Sequence, residues 1–160
     1  MKNQKGFSLI ELLIVVVIIG IIAAIAIPNL LAARRSANEG SAISSLRTVH
    51  GGEMTYQATT GAGVYGSLSA MQTAGIVDSV LGGGVKSGYN YTVTPIAPTA
   101  TAPAFFDAKA VPQVASGISA TGTRAFFIGE VGVIYFQAGA TAPTCDATTR
   151  VVSGGSPLNN

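Results

Sequence analysis

One long apolar run near the amino terminus constrains this chain more than any other feature. Residues 12–27 read LLIVVVIIGIIAAIAI, and no charge interrupts the run until Arg34 and Arg35. As a helix, the 22 uncharged residues from 12 to 33 would be about 33 Å long, and a bilayer core is about 30 Å thick. Because backbone polar groups in hydrocarbon must be satisfied internally, the run is predicted to be a membrane-spanning helix.

Two simpler interpretations of the run stay open at this point. A secretory signal peptide would use Lys2 and Lys5 as its basic start, but its apolar core is normally about 7–15 residues long and ends at a small-residue cleavage site. The run in this chain is longer, and helix-compatible sequence continues beyond residues 23–26. A plain membrane anchor also fits the run itself, so residues outside the run must show whether the helix has a further function.

An acidic residue lies inside the apolar stretch, where Glu11 follows Ile10 and precedes Leu12. A carboxylate in hydrocarbon costs up to about 3 kcal/mol at the bilayer centre and less towards the interface. A simple anchor has no use for such a residue, so Glu11 indicates a function and needs a charged partner. Residues 12–33 contain no Lys or Arg, and the partner is therefore predicted to come from outside this helix segment.

The residues around Glu11 form a motif with a known counterpart. Gly6-Phe7-Ser8-Leu9-Ile10-Glu11-Leu12-Leu13 closely resembles the processing motif of bacterial type IV pilins and pseudopilins. The resemblance implies that a prepilin peptidase cuts after Gly6 and methylates the new amino terminus on Phe7, so that Glu11 becomes the fifth residue of the mature chain. It also implies a helix kink at Pro28, where many pilins carry a proline. The detailed match covers roughly residues 1–35.

Processing would supply Glu11 with a cationic partner. Cleavage removes Lys2 and Lys5 and exposes an α-amine on Phe7, which is largely protonated at neutral pH because its reference pKa is about 8. Phe7 and Glu11 are four residues apart and share a helix face, but the amine of an incoming chain can instead reach Glu11 of a subunit already placed. The hypothesis is an assembly ion pair that selects the axial register and cannot form while the leader is uncut.

The charges flanking the run predict its orientation and location. Lys2 and Lys5 favour a cytoplasmic amino terminus, while Arg34 and Arg35 on the far side compete. The precursor is expected in the bacterial inner membrane and the processed chain in an extracellular pilus filament at the cell surface. The partners that the resemblance implies are further copies of the chain in a homopolymer, the prepilin peptidase, an inner-membrane assembly platform and the lipid bilayer.

The helix is predicted to continue past the apolar run, from about Phe7 to Thr59. Its second half carries a narrower apolar stripe, formed by Ala33, Ala37, Ile43, Leu46, Val49 and Tyr56. The charged residues expected on other faces are Arg34, Arg35, Glu39, Arg47 and Glu53. Interior glycines such as Gly40 and Gly51 fit either close helix packing or partial melting within a filament.

From residue 60 the sequence is rich in Gly, Pro, Ser and Thr. A short helix is predicted over residues 67–74, with Ser67 as its cap and Gly75 as its stop, and a loop is predicted at residues 82–84. Strand patterns cover residues 89–94, 105–111, 124–128 and 133–137, with a hairpin turn at 129–132. The tail from Ala138 is predicted to be irregular.

These elements predict an α+β fold, in which the C-terminal half of a long N-terminal helix packs on a small antiparallel sheet of three or four strands. The first half of the helix is the transmembrane part. The expected organisation is a leader peptide at residues 1–6, a transmembrane and filament-core helix at 7–33, an amphipathic continuation at 34–59 and a globular domain at 60–160.

Residue types that support catalysis or metal binding are few. His50 is the only histidine, so no Ser-His or His-metal cluster can form, and a packing role on the helix is predicted for it. Asp78, Asp107, Glu130 and Asp146 are scattered along the chain without EF-hand spacing. No catalytic residue, metal or other cofactor is assigned, and the resemblance leaves open a C-terminal calcium site of the kind found in some pseudopilins.

The number of cysteines and the balance of charged residues exclude two further features. Cys145 is the only cysteine, so the chain departs from the many type IV pilins that close a C-terminal loop with a disulfide, and a buried or inert thiol is expected. The net charge of +2 comes from Lys2 and Lys5, since seven basic residues face seven acidic ones from residue 7 onward. Nucleic-acid binding through a strong basic face is therefore not indicated.

The leading interpretation is a non-enzymatic structural subunit of a type IV pilus, serving attachment, twitching or DNA uptake. A pseudopilin of a type II secretion system is the first alternative. The second, from another class, is a membrane-anchored ligand-binding domain, which would require a polar cluster within residues 60–160.

Overall fold

A computed structural model describes residues 6–158, so Lys2 and Lys5 of the expected leader lie outside the described residues. The helices are α1 (Leu9–Ala58), α2 (Leu68–Thr73) and α3 (Ser79–Gly82). The strands are β1 (Val85–Lys86), β2 (Tyr89–Ile96), β3 (Phe105–Pro112), β4 (Arg124–Gly129), β5 (Ile134–Ala138), β6 (Thr144–Cys145), β7 (Val152–Ser153) and β8 (Ser156–Pro157). The predicted α+β class, with one long helix followed by an antiparallel sheet, is confirmed. The chain divides into two compact units between Arg34 and Arg35.

The first unit contains the apolar part of α1, and its large apolar side chains from Leu9 to Leu30 are exposed. Leu9 is 83% exposed, and Val15, which is among the least exposed, is 45% exposed. Within residues 6–158, α1 is the one helix whose length and composition suit a membrane span. An uninterrupted apolar surface of this kind is characteristic of a membrane or protein contact.

Pro28 lies in the interior of α1. Proline has no backbone N–H, so the carbonyl of Ala24, four residues earlier, loses its usual helical donor. The side-chain nitrogen of Asn29 donates to the next carbonyl, that of Ile25, at 3.1 Å. The helix continues to Ala58, and the bend expected at Pro28 stays a prediction.

The second unit contains the remainder of α1, which buries one face. The buried residues recur every three or four positions, as one helix face requires, and they are Glu39, Ala42, Ser45, Leu46, Val49, Gly52 and Glu53. The expected burial of Leu46 and Val49 is confirmed, whereas Ala33 and Ala37 are exposed. The expectation that Glu39 and Glu53 occupy other faces is wrong, because hydrogen-bond donors from distant segments meet both carboxylates.

Glu39 joins α1 to the start of β4. Its Oε1 accepts hydrogen bonds from the backbone N–H and the hydroxyl of Thr123, both at 2.8 Å. Its Oε2 accepts from Arg124 Nε at 2.8 Å and lies 2.7 Å from Arg124 Nη2. Burial by itself raises the pKa of Glu39, but the bonds from Thr123 and Arg124 outweigh burial and hold the pKa below its ordinary value. The buried charge is therefore compensated by four donors.

The main sheet is antiparallel throughout, with strand order β1-β2-β3-β4-β5-β8, and β6 and β7 form a separate pair. The four predicted strands are its centre, and the hairpin between β4 and β5 is confirmed. Its turn closes with a 3.0 Å hydrogen bond from Gly132 N to Gly129 O, and Gly132 has φ +80°. The expected count of three or four strands is too low, because two-residue strands are too short to show a period.

The sheet is covered on both faces at β4. Phe126 and Ile128 join Leu46 and Val49 of α1 in the main core, together with Phe106 of β3. Burial of such side chains contributes about 1.5–3 kcal/mol each. Between them, Phe127 points to the opposite face yet is only 1% exposed, because the C-terminal segment covers that face. The tail predicted to be irregular from Ala138 instead supplies β6, β7 and β8, which corrects that expectation.

The two short helices follow local capping chemistry. Ser67 caps α2, accepting from Ala70 N at 3.2 Å, and Gly75 ends it with φ +70°, as predicted. The loop expected at residues 82–84 is wrong for Gly82, which belongs to α3. Asp78 caps α3 through a 2.7 Å hydrogen bond from Leu81 N.

Glu53 is fully buried near the carboxyl end of α1. Its Oε2 accepts a 2.9 Å hydrogen bond from Gly66 N, whereas its Oε1 meets no donor within residues 6–158. Burial raises the pKa of Glu53 from 4.5 to about 7, and the Gly66 hydrogen bond only partly opposes this rise. The side chain is thus best accommodated as a neutral acid.

We expect Glu53 to make the fold less stable as the pH rises from about 4.5 to 7, because the folded chain retains a proton that the unfolded chain releases. The free energy of unfolding should fall by roughly 3 kcal/mol across this window. Glu53→Gln keeps the acceptor for Gly66 but does not titrate. Denaturant unfolding of both full-length proteins in detergent should show the variant gaining relative stability as the pH rises, and a difference independent of pH would contradict this account.

We expect Pro28→Ala to stabilise the middle of α1, since alanine restores the donor to the Ala24 carbonyl and removes ring crowding worth up to about 3 kcal/mol. Backbone amides around residue 28 should exchange more slowly in detergent, measured by hydrogen–deuterium exchange. Asn29→Ala serves as the control, because it removes only a side-chain hydrogen bond. Equal exchange in Pro28→Ala and the parent chain would show that proline does not loosen this helix.

Candidate functional site at the amino-terminal segment

The predicted cleavage position lies outside regular structure. Gly6, Phe7 and Ser8 precede the first helical residue, Leu9. The first helical turn is closed by a hydrogen bond from Leu12 N to Ser8 O at 3.2 Å. Phe7 is 80% exposed, so the Gly6–Phe7 peptide bond is accessible without unwinding α1.

Glu11 lies in the first turn of α1, where its negative charge interacts favourably with the helix dipole. Its side chain is exposed among exposed apolar neighbours such as Ile10 and Leu12. The structure therefore places Phe7 just before the helix and Glu11 just inside it. This arrangement puts the expected new amino terminus and the carboxylate at the same end of the apolar segment.

The remaining candidate residues of the sequence have structural roles in the second unit. His50 Nε2 lies 3.1 Å from the carbonyl oxygen of Glu130, and its ring centroid lies 6.0 Å from that of Phe106, which agrees with a packing role. Across residues 6–158, no three or more His, Cys, Asp or Glu side chains are grouped so that they could hold a metal ion.

The structure brings together two acids that are far apart in the sequence. Asp107 of β3 and Glu130 of the hairpin turn both bind Arg150, with Nη2–Oδ1 and Nη2–Oε2 distances of 3.0 and 2.6 Å. The two acids are 23 residues apart in the chain, and antiparallel pairing brings them together because it places residue 107 opposite residue 129. The one indication of this cluster in the sequence is that Arg150 is the only basic residue after Arg124, and therefore the only cation that this part of the chain offers to the acids.

Cys145 is partly buried and carries a free thiol. Burial raises the pKa of this thiol, and the positive charge of Arg150 opposes the rise. The side chain lines a small cavity together with Phe127, Tyr135 and Arg150. A raised pKa lowers the thiolate fraction at neutral pH, in line with the expected low reactivity.

Comparison with known proteins locates the similarity. The family model of the prokaryotic N-terminal methylation motif matches residues 1–27. The type IV wide pilus major component PilA4 of Thermus thermophilus is 69% identical over 39 residues, which are 24% of this chain and 30% of that protein. A fimbrial protein of Pseudomonas aeruginosa is 79% identical over 29 residues, which are 18% of this chain and 19% of that protein.

A secretion protein also matches. The type II secretion system core protein G of Klebsiella pneumoniae is 35% identical over 51 residues, which are 32% of this chain and 36% of that protein. The chain thus spans roughly a third or less of the length of these relatives. No solved structure matches the chain.

These matches confirm the resemblance that residues 6–13 predict. The chain carries the prokaryotic N-terminal methylation motif at residues 1–27, and its homologues include a type IV pilin and the type II secretion pseudopilin G.

Proposed function

We propose that this chain is a structural subunit of a type IV pilus, released for assembly when a prepilin peptidase cuts between Gly6 and Phe7 and methylates Phe7. The observation that carries the proposal is the apolar first part of α1, whose large side chains are exposed from Leu9 to Leu30 and which starts within a methylation motif. In the precursor, lipid covers this surface. In the filament, the same surface packs against the helices of other copies.

Glu11 distinguishes this role from simple anchoring. Its carboxylate adds a cost in hydrocarbon that an anchor does not require, and it lies in the first turn of α1, close to the amine that cleavage creates on Phe7. In an apolar environment the pairing of this amine with Glu11 of a neighbouring copy is strong. An incoming subunit out of register would leave both charges unpaired, so the pair selects the register.

The organisation proposed for the chain follows from this role. Residues 1–6 form the leader, 7–33 the membrane and filament-core helix, 34–59 its amphipathic continuation and 60–160 the globular domain. The leader lies on the cytoplasmic side of the inner membrane, where the peptidase and the assembly platform act, and the globular domain lies on the far side. The chain acts by self-association and not by catalysis.

A type II secretion pseudopilin is the second candidate, favoured by the longer match to core protein G. The pilus is preferred because identity is higher with the pilus and fimbrial proteins, 69% and 79%, than with core protein G, 35%. Electron microscopy of sheared surface filaments, with mass spectrometry of their main protein, separates the two. Micrometre filaments built from the processed chain support the pilus, whereas absence from them, with a secretion defect on deletion, supports the pseudopilin.

We expect Gly6→Leu to abolish processing, because a bulky side chain at the residue before the cut blocks entry of the Gly6–Phe7 bond to the peptidase. Mass spectrometry of membrane fractions should show the full precursor in place of a chain that begins with methylated Phe7. Gly20→Ala is the control, since a Cβ at residue 20 meets no atom within 4 Å. A methylated Phe7 terminus in Gly6→Leu would exclude this cleavage site.

We expect Glu11→Gln and Glu11→Ala to insert in the membrane and to be processed, yet to yield at least about tenfold less filament, since the register-selecting ion pair is lost. The filament yield is measured by shearing and immunoblotting, and insertion by the amount in the membrane fraction. Glu53→Gln makes a matched control, because it is the same substitution in the same helix at a site that is buried in the second unit. Filament yield from both Glu11 variants equal to that of the parent would rule out the ion pair.

A further inference from the structure

The C-terminal segment, residues 139–158, is held to the sheet by few backbone contacts. Its strands β6, β7 and β8 have two residues each, and β6 and β7 pair only with each other. Contact with the main sheet comes from the short pairing of β8 with β5, from a 2.7 Å hydrogen bond between Leu158 N and Ile134 O, and from Gly139 N, which donates to Thr123 O next to β4 at 2.8 Å. The backbone alone therefore gives this segment a weak attachment.

A tight turn within the segment presents one basic side chain. The Oδ1 atom of Asp146 accepts hydrogen bonds from the backbone N–H groups of Thr148 and Thr149 at 2.9 and 2.7 Å, and from the Thr149 hydroxyl at 3.0 Å. Arg150 N then donates to Asp146 O at 3.0 Å, and Arg150 adopts φ +56°. A left-handed conformation in a residue other than glycine persists only where the surroundings impose it.

The Arg150 side chain spans the gap between the segment and the sheet. Its Nη2 atom binds Asp107 and Glu130, as described above, and also donates to the Phe106 carbonyl at 3.3 Å. Its Nε atom donates to the other carboxylate oxygen of Glu130, Oε1, at 3.0 Å. Its guanidinium carbon lies 4.6 Å from the centroid of the Phe105 ring. The side chain is only 12% exposed, so little solvent screens these contacts.

The geometry suits arginine in particular. A planar guanidinium can donate from separate nitrogens to two carboxylates while its flat face stacks on an aromatic ring, whereas a lysine ammonium is a compact point charge without this fork or a flat face. Burial by itself raises the pKa of Glu130, but the hydrogen bonds from Arg150 outweigh it and lower the pKa. The acid is therefore held in the ionised form that binds the guanidinium.

We propose that Arg150 is a noncovalent clasp, which closes the C-terminal segment over the sheet face that carries Phe127 and Tyr135 and thereby limits access to Cys145. These three residues and Arg150 line the same cavity. Because Cys145 is the only cysteine, no internal disulfide can close the segment. The clasp stands on contacts within the second unit and does not depend on the proposed filament function.

The test uses the single thiol of the full-length chain in detergent as its reporter. The rate at which a maleimide labels Cys145 is measured at one pH for the parent, Arg150→Gln and Arg150→Lys. We expect labelling to be about tenfold faster in both variants. Arg150→Gln removes one partner of a buried ion pair, and Arg150→Lys keeps the charge but loses the planar fork, so each favours local opening. Lys86→Gln is the control, because its 3.9 Å pair with Asp78 is exposed, and it should leave the rate unchanged.

The direction of the change separates a clasp from a purely electrostatic effect. The charge of Arg150 lowers the pKa of Cys145, so its loss without opening would leave less thiolate and slow the labelling. Faster labelling, with faster hydrogen–deuterium exchange confined to residues 139–158, supports the clasp. Rates that are unchanged or slower in both variants overturn it.

A folding control keeps the test decisive. Hydrogen–deuterium exchange over β2 to β4 shows whether a variant has kept its core. If Arg150→Gln loses protection there as well, Glu130→Gln decides the question, because it weakens the clasp while preserving side-chain shape. The readout for Glu130→Gln is hydrogen–deuterium exchange, because loss of the Glu130 charge by itself lowers the pKa of Cys145 and speeds labelling. Faster exchange confined to residues 139–158 with a protected core supports the clasp, and unchanged exchange there overturns it.

Discussion

The exposed apolar surface of α1 requires an apolar environment, and this requirement governs the amino-terminal part of the chain. Its large side chains from Leu9 to Leu30 are all in contact with the surroundings, and water is a poor solvent for such a surface. Lipid or other apolar helices must cover it. This requirement makes a charged residue at Glu11 costly, and the proposed ion pair would give that charge a partner.

Buried charge is handled in three different ways along this chain. Glu39 stays ionised because Thr123 and Arg124 supply four donors. Glu53 has a single donor, and burial raises its pKa to about 7. One donor does not compensate a buried carboxylate charge, whereas protonation removes that charge. Arg150 is placed between two carboxylates. The number of donors or acceptors within reach therefore decides the charge state of each buried group.

The long helix, the four central strands, the hairpin and the Ser67 cap could be predicted from the sequence, because each depends on a repeat or a motif within a short window. The carboxylates of Glu39 and Glu53 could not be placed on the buried face, since their donors lie 84 and 13 residues away. The same limit applies to Arg150, which meets partners 43 and 20 residues distant. Two-residue strands such as β8 carry no readable period.

The amino-terminal segment could be recognised without a fold, because the motif at residues 6–13, the apolar run and the position of Glu11 are local features. The attachment of the C-terminal segment and the burial of particular acids depend on folding, because antiparallel pairing brings Asp107 and Glu130 together and the 146–150 turn places Arg150 against both. Local structure is determined by neighbouring residues, whereas the compensation of buried charge depends on groups that folding alone brings within hydrogen-bonding distance.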